Sequence, residues 1–488
     1  MRYGSCRGSR GPARTIREET ITTRQAPWRS MLLMLAYTVL LPGAIYLVVG
    51  RALPGALTAL HYIVSTSYGL TSGLLLWETY IAVRRRSAPV PVQDVAELEL
   101  PPCTAIVAAY LPNEQDIILD TLNHLLNQVA VEDDRLEVIL AYNRPEPLPI
   151  ESALQALAGQ DTRLRLLCVE GSRSKAENVN AALEVAQGTI VAIFDADHLP
   201  EPHCFQKAWR WLSPGPEGAP GYDAVQGRCV VRNDTDNWLT RLVAIEFESM
   251  YAIMHLGRSL LTDTAIFGGS NGFWRTEVLR TLRMDRTKLT EDIDCSLRAL
   301  LAGHRLIHDR SIRSDELATV APGQWWFQRK RWAQGWFQVS RKYWREVLTT
   351  AHLSPGQKAL WLYTLIWLQV YPLLAQQLLP LMLAAHLLGL PIGWLANPYF
   401  VVTTIVALLS GPILTLATYQ RTLWRSRARL RWWFPIYALT QLLYSTIKNW
   451  VVLVAQQQEF KGQDEWIVTQ RLRPLVLPAG IPPARPSA

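Results

Sequence analysis

IVAIFDADHLPEP, residues 190–202, is the stretch on which the fold turns. It opens with an apolar run too short for a typical helix and ends on Asp195-Ala196-Asp197. An unbroken apolar run of this length suits a strand covered on both faces, as in a parallel sheet. Ligands of open α/β sheets bind beyond the carboxyl ends of such strands. Two carboxylates at i and i+2 in that position can reach one hard cation and the phosphates bound to it. A solvated turn would account for the same two acids, so the reading depends on what surrounds it.

Working outward, similar runs recur at CTAIVAA (103–109), EVILA (137–141), LRLLCV (164–169) and TIVAIFD (189–195). Helices are expected between and after them, over 114–127, 174–186 and 201–212. Residues 98–322 therefore read as one α/β domain with a mostly parallel, Rossmann-like sheet. SPGPEGAPGY (213–222) is a Pro/Gly loop, and no internal repeat is visible.

The flanks are of a different kind. Of the 488 residues, 49% are hydrophobic and 18% charged, which is too apolar for a disordered chain and low in charge for a soluble one. Residues 31–50 and 52–77 carry no Lys, Arg, Asp or Glu, and neither does the stretch from Ala359 to Tyr419. Each region is long enough for two spans of about 20 residues, giving expected transmembrane hairpins at 30–82 and 358–420. A basic tail (1–29), Arg84–Arg86 and the arginine-rich 420–433 would lie in the cytosol by the positive-inside rule. The net charge of +8 is then a matter of topology and anionic lipid, and nucleic acid is not an expected partner. The six cysteines show no CxxC spacing and read as reduced core residues, and the histidines at 198, 203, 304 and 308 as loop or core residues.

Trp325, Trp332, Trp336 and Val339 share one face of the segment 323–346, with Arg329, Lys330 and Arg341 elsewhere. That pattern suggests an interfacial helix on the bilayer. The segment 434–456 has the length of a span but a polar stripe of Gln441, Ser445, Lys448 and Asn449, so it reads as interfacial or re-entrant. Residues 457–488 would then be a cytosolic tail.

Four more elements can carry chemistry. In GSRSKAENVNAAL (171–183), Lys175 at a helix start could neutralise a phosphate. The glycines of IFGGSNGFWR (266–275) permit close backbone approach to a ligand, or simply make a hairpin turn. Thr290-Glu291-Asp292 opens a helix, where a cap and first-turn acids would explain all three residues without catalysis. Gln328-Arg329-Lys330-Arg331-Trp332 offers a guanidinium fork for a pyrophosphate and a flat ring for a sugar.

Taken in order, these elements resemble the membrane-bound members of glycosyltransferase family 2, the group of the cellulose, chitin and hyaluronan synthases. Asp195 and Asp197 match the family's Asp-x-Asp, and Thr290, Glu291 and Asp292 its Thr-Glu-Asp. Gln328, Arg331 and Trp332 match its Gln-x-x-Arg-Trp. The resemblance extends to Lys175, Ala176 and Asn178, and to a gate-like Trp466-Ile-Val-Thr469-Gln-Arg471. One departure is Asn143 at the end of the second strand, where the family usually carries an Asp that holds uracil.

The resemblance implies a cytosolic glycosyltransferase A-type domain between two membrane hairpins, in the plasma membrane. It implies an inverting transferase using a nucleotide sugar, with UDP-glucose or UDP-N-acetylglucosamine first and a guanosine donor second. The acceptor would be a growing polysaccharide with coupled translocation, or alternatively a single lipid or glycolipid. Asp292 would be the general base, and Asp195 and Asp197 would hold Mg²⁺ or Mn²⁺. Tyr110, Glu114, Asn143, Lys175 and Arg331 would bind the nucleotide, and Glu291, Gln328 and Trp332 the acceptor. The sequence names no accessory subunit.

Overall fold

A computed structural model describes residues 28–85, 99–214, 221–390 and 397–462. The gate-like residues Trp466, Thr469 and Arg471 lie outside the described residues.

The apolar runs form strands where expected: β1 (Cys103–Tyr110), β2 (Leu136–Asn143), β3 (Leu164–Cys168) and β4 (Ile190–Asp195). These four are mutually parallel, and side chains along each alternate between two core layers. Ile106, Ile139, Val191 and Ile193 pack on one face with Val179 and Leu183 of the helix Lys175–Val185. Val107, Val138, Leu140 and Phe194 pack on the other, against the helices Ile118–Gln128 and Cys204–Leu212. Burial on both faces is why the runs show no polar alternation.

Four further strands complete the sheet: β5 (Leu199–Pro200), β6 (Ala224–Val231), β7 (Gly272–Arg275) and β8 (Leu306–Glu316). The order is β3-β2-β1-β4-β7-β6-β8-β5. The sheet is mixed, because β7 runs antiparallel to both β4 and β6, and β5 antiparallel to β8. The reversal at β7 is what returns the glycine loop 268–271 to the carboxyl end of β4. Register matters at that edge: Ala108 pairs with Asp195, and Tyr110 with Asn143. Tyr110, Asn143 and Asp195 therefore stand together at one rim of the sheet, where α/β folds bind ligands.

Among the described residues, three helical stretches are long and apolar enough to cross a membrane, Trp28–Ala52, Pro355–Leu387 and Pro398–Arg421, against four expected spans. The expected second span is a single 31-residue helix, Pro54–Arg84, but it buries Ser65, Ser67, Ser72, Glu78 and Thr79 against the rest of the chain. Glu78 is ion-paired with Arg258 at 3.0 Å.

Two helices expected at the interface make contacts with protein along part of their length. In Pro322–Thr349, the face expected to lie on lipid carries Trp325 and Val339, and both are buried in protein. In Trp433–Phe460, Lys448 of the polar stripe is bonded to Glu246 at 2.8 Å, while Ser445, Leu439, Leu442 and Leu443 are exposed. Periodicity identifies an amphipathic helix but not what covers each face. In both cases the partner is a neighbouring helix, and the two pack on each other. Gln334 and Gln338 of the first donate to Glu459 at the end of the second, at 3.1 and 2.8 Å.

Candidate active site

A cavity of about 270 Å³ opens at the carboxyl end of β1 and β4. Its walls include Tyr110, Glu114, Asn143, Lys175, Asp195, Glu291, Asp292, Gln328, Arg331 and Trp332, which come from six separate stretches of sequence. Of the site residues expected from sequence and described here, only Asp197 is not in the wall.

The local reasons are specific. Ser174 caps the helix that begins at Lys175, its hydroxyl accepting from the Glu177 amide at 3.2 Å. That cap aims Lys175 into the cavity, where its ammonium is ion-paired with Asp195 and donates to the Gly269 carbonyl at 2.6 Å. The glycine loop is pinned from behind. The Gly268 amide donates to Gln226 Oε1 at 2.8 Å, Gln226 Nε2 donates to the Ser270 carbonyl at 3.0 Å, and the Asp195 amide donates to Ser270 Oγ at 3.0 Å. Gly269 has φ +89°, a conformation glycine takes without a Cβ penalty. A Cβ there would stand 2.7 Å from Asp292 Oδ2 and 3.6 Å from Lys175 Nζ. The backbone of Gly269 thus brings the Lys175–Asp195 pair and Asp292 into one group.

Thr290 precedes the helix Glu291–Leu301 but makes no capping bond with its side chain. It is wedged against Gly335 of the helix Pro322–Thr349 instead. Asp292 accepts from the Ile293 amide at 2.9 Å, and its carboxyl is pushed up to about 7. Burial is the main cause and the neighbouring Glu291 carboxylate the second, while Lys175 and Arg331 pull it down. Burial works to lower the Lys175 ammonium, yet Asp195, Glu291 and Asp292 together hold it above its ordinary value. A fixed cation thus sits beside a carboxyl poised near neutrality, the kind of pair that acid–base chemistry uses.

Gln328, Arg331, Trp332 and Trp336 reach the cavity from one side of the helix Pro322–Thr349, as their spacing requires. Arg331 donates to the Leu289 carbonyl at 3.3 Å. Trp332 is held from behind by Arg329, whose guanidinium lies 4.3 Å from the ring centroid. Arg329 is itself bonded to the buried Glu246 at 2.7 Å. Asn143 lines the cavity with its amide engaged, donating to the Ser172 carbonyl at 3.1 Å and accepting from Asn178 at 2.8 Å.

Asp197 lies behind Asp195 and is fully buried, with Oδ2 accepting from the Leu317 amide at 3.0 Å. Ligand atoms of Asp195, Asp197 and His198 nevertheless lie within 4.8 Å of one another. Two carboxylates and an imidazole at that separation fit one divalent ion, and the oxygen donors suit Mg²⁺ or Mn²⁺.

Sequence reasoning missed the opposite wall. Phe247, Met250, Tyr251 and His255 come from a helical stretch, Trp238–Thr262, interrupted by a π-turn at Met250–Met254. Such turns are frequent at functional sites. Cys229 and Glu316, at the ends of β6 and β8, also line the cavity. A signal existed for Glu316 only in its position, since β8 reads in sequence as a polar, exposed strand.

A mixed α/β sheet with an acidic, cation-competent crevice at its parallel edge, walled by an aromatic and arginine-bearing helix, defines the class of nucleotide-dependent transferase folds. Residues 190–444 match the Glycosyl transferase family group 2, and the chain belongs to that family. Among curated proteins it is 26% identical over 290 residues to a probable glucomannan 4-beta-mannosyltransferase 7 of Oryza sativa subsp. japonica, covering 59% of this chain and 46% of that protein. It is 26% identical over 247 residues to the poly-beta-1,6-N-acetyl-D-glucosamine synthase of Staphylococcus aureus, covering 50% and 57%. The chain spans about half the length of these curated relatives. Among solved structures, the mannosyltransferase PcManGT from Pyrobaculum calidifontis, in complex with GDP-Man and Mn²⁺, shares the fold. Its TM-score is 0.50 at 22% identity, covering 84% of this chain and 98% of that one.

Proposed function

We propose that this protein is an inverting membrane glycosyltransferase that moves a hexose from a nucleoside-diphosphate donor to the end of a growing polysaccharide. The observation that carries the reading is the linked group of Asp195, Lys175, Gly269 and Asp292 in one cavity, faced by Arg331 and Trp332. Inversion requires an acceptor hydroxyl deprotonated behind the anomeric carbon. Asp292 takes that proton, and its elevated carboxyl suits the task near neutral pH. Lys175 and Arg331 stabilise charge gathering on the departing diphosphate. Asp195 and Asp197 hold a divalent cation, Mg²⁺ or Mn²⁺, which when bound supplies further positive charge to the diphosphate. Tyr110, Glu114 and Asn143 face the nucleoside, Trp332 stacks on the acceptor's terminal sugar, and Gln328 and Glu291 border it.

The arginine-rich flanks support a catalytic domain on the cytosolic side of the plasma membrane. A channel between the helices would carry the product across. The alternative, one sugar added to a lipid or glycolipid, is distinguished by product size.

A uridine donor is the first choice, with glucose or N-acetylglucosamine. The second choice, a guanosine donor carrying mannose, has two observations in its support: Asn143 stands where the family usually has an Asp, and one relative is named a mannosyltransferase. The deciding experiment incubates membranes containing the full chain with a panel of nucleotide sugars and Mg²⁺ or Mn²⁺. Nucleoside diphosphate release is measured, and any polymer is digested with linkage-specific enzymes. Release from one donor, abolished by chelation and by Asp292→Asn, supports the reading. No release from any donor overturns it.

A further inference from the structure

Two aromatic rings in the cavity wall share one buried cation. Trp332 comes from the helix Pro322–Thr349 and Phe247 from Trp238–Ser249, and both line the cavity. Their ring centroids are 6.4 Å apart, with the planes tilted by 47°. The Arg329 guanidinium lies 4.3 Å from the Trp332 centroid and 5.4 Å from that of Phe247. Arg329 is itself buried behind that wall. It stands three residues before Trp332 on the same helix face, so its guanidinium fills the corner behind the two rings.

The cation is held in place from the far side. Glu246 accepts from Arg329 at 2.7 Å, and is itself fixed by the Tyr444 hydroxyl at 2.6 Å and the Lys448 ammonium at 2.8 Å. A guanidinium taken out of water needs such a counter-charge. Its flat, weakly hydrated shape suits stacking against rings in a way that an ammonium does not. An ion pair that only joined helices would not need its cation against two rings, each of which reaches the cavity.

We propose that Arg329, held by Glu246, is a positioning residue that fixes the tilt between Phe247 and Trp332, and that the two rings together receive the terminal sugar of the acceptor. A pyranose presents a face of C–H groups, and a pair of tilted rings covers that face and one edge. Phe247 thereby joins Trp332 as an acceptor contact from a different helix. The inference rests on the transferase reading for the role of that sugar, and its test reads binding without turnover.

The full-length protein, in a detergent without a sugar headgroup, is titrated by calorimetry with β-linked hexasaccharides of glucose, N-acetylglucosamine and mannose. At least one should bind the unmodified protein. Arg329→Lys keeps the charge and a donor for Glu246 but loses the flat stack. It should weaken that binding by roughly 3–30-fold, the span of a lost cation–π contact. Phe247→Leu, which keeps an apolar side chain and removes the ring, should weaken it too. In both variants the affinity for UDP or GDP should stay unchanged, a split that a purely structural role would not produce. Should Arg329→Lys fail to fold, Phe247→Leu provides the same comparison. Unchanged hexasaccharide affinity in either folded variant, an equal weakening of nucleotide binding, or no hexasaccharide binding by the unmodified protein overturns the inference. Nucleoside diphosphate release from the donor panel is scored separately, so the two readings fail independently.

Discussion

Lys175 is ion-paired with Asp195 at the carboxyl end of β4, and the same ammonium donates to the Gly269 carbonyl. The lysine therefore occupies the meeting point of the two carboxylate stretches on which the proposed reaction rests. Lys175→Met should lower nucleoside diphosphate release by roughly 10²–10³-fold, the usual loss when one preorganised donor to a developing charge is removed. Release assays at saturating acceptor check this.

With Asp292 as the proposed general base, its carboxyl, raised to about 7 by burial and then by Glu291, should set the acid limb of the pH–rate profile. A general base works when ionised, so kcat/KM should rise through about pH 7. Glu291→Gln removes a like charge and should move that limb to lower pH. Lys175→Met removes an opposite charge and should move it higher. Asp292→Asn should keep nucleotide binding and lose transfer by roughly 10²–10⁴-fold.

Glu246 is buried among Arg329, Tyr444 and Lys448, at 2.7, 2.6 and 2.8 Å, and so joins three helices. Burial opposes its charge, but Arg329 and Lys448 prevail and hold the carboxyl down at about 2. Its contribution is complete above the ordinary carboxylate range and is lost as pH falls from there towards about 2. Glu246→Leu leaves the buried Arg329 without its counter-charge and should cost about 3–5 kcal/mol. Denaturant unfolding in detergent measures this.

Gly269→Ala should both strain the backbone and displace Asp292. A left-handed φ costs an alanine about 1–2 kcal/mol, and the added methyl would meet the Asp292 carboxylate. The expected outcome is a loss of transfer larger than the loss of stability, read by comparing turnover with the thermal midpoint.

The parallel half of the fold was legible because its strands are apolar on both faces, and because the helix at Lys175 begins at a recognisable cap, Ser174. The Asp195, Lys175, Asp292 and Arg331 stretches were legible for a different reason: each is a short local pattern, and their order along the chain matched a known family. What stayed hidden depends on distant contacts. Phe247 and Tyr251 sit in a helix buried nearly all round, whose sequence resembles any core helix. The polar stripe of Trp433–Phe460 signalled water, although its partner is Glu246. His198 and Glu316 are far apart in sequence, and the pairing of β5 with β8 is what brings them together.

The bonds from Gln334 and Gln338 to Glu459 join the helix bearing Arg331 and Trp332 to the end of Trp433–Phe460, which shows leucines on its outer side. Those leucines respond to whatever surrounds them. A thicker or thinner bilayer, or a detergent micelle of another radius, would press on one helix and tilt the other through this clasp. Turnover of the proposed reaction, compared across vesicles of graded acyl-chain length, should therefore vary with the surrounding lipid.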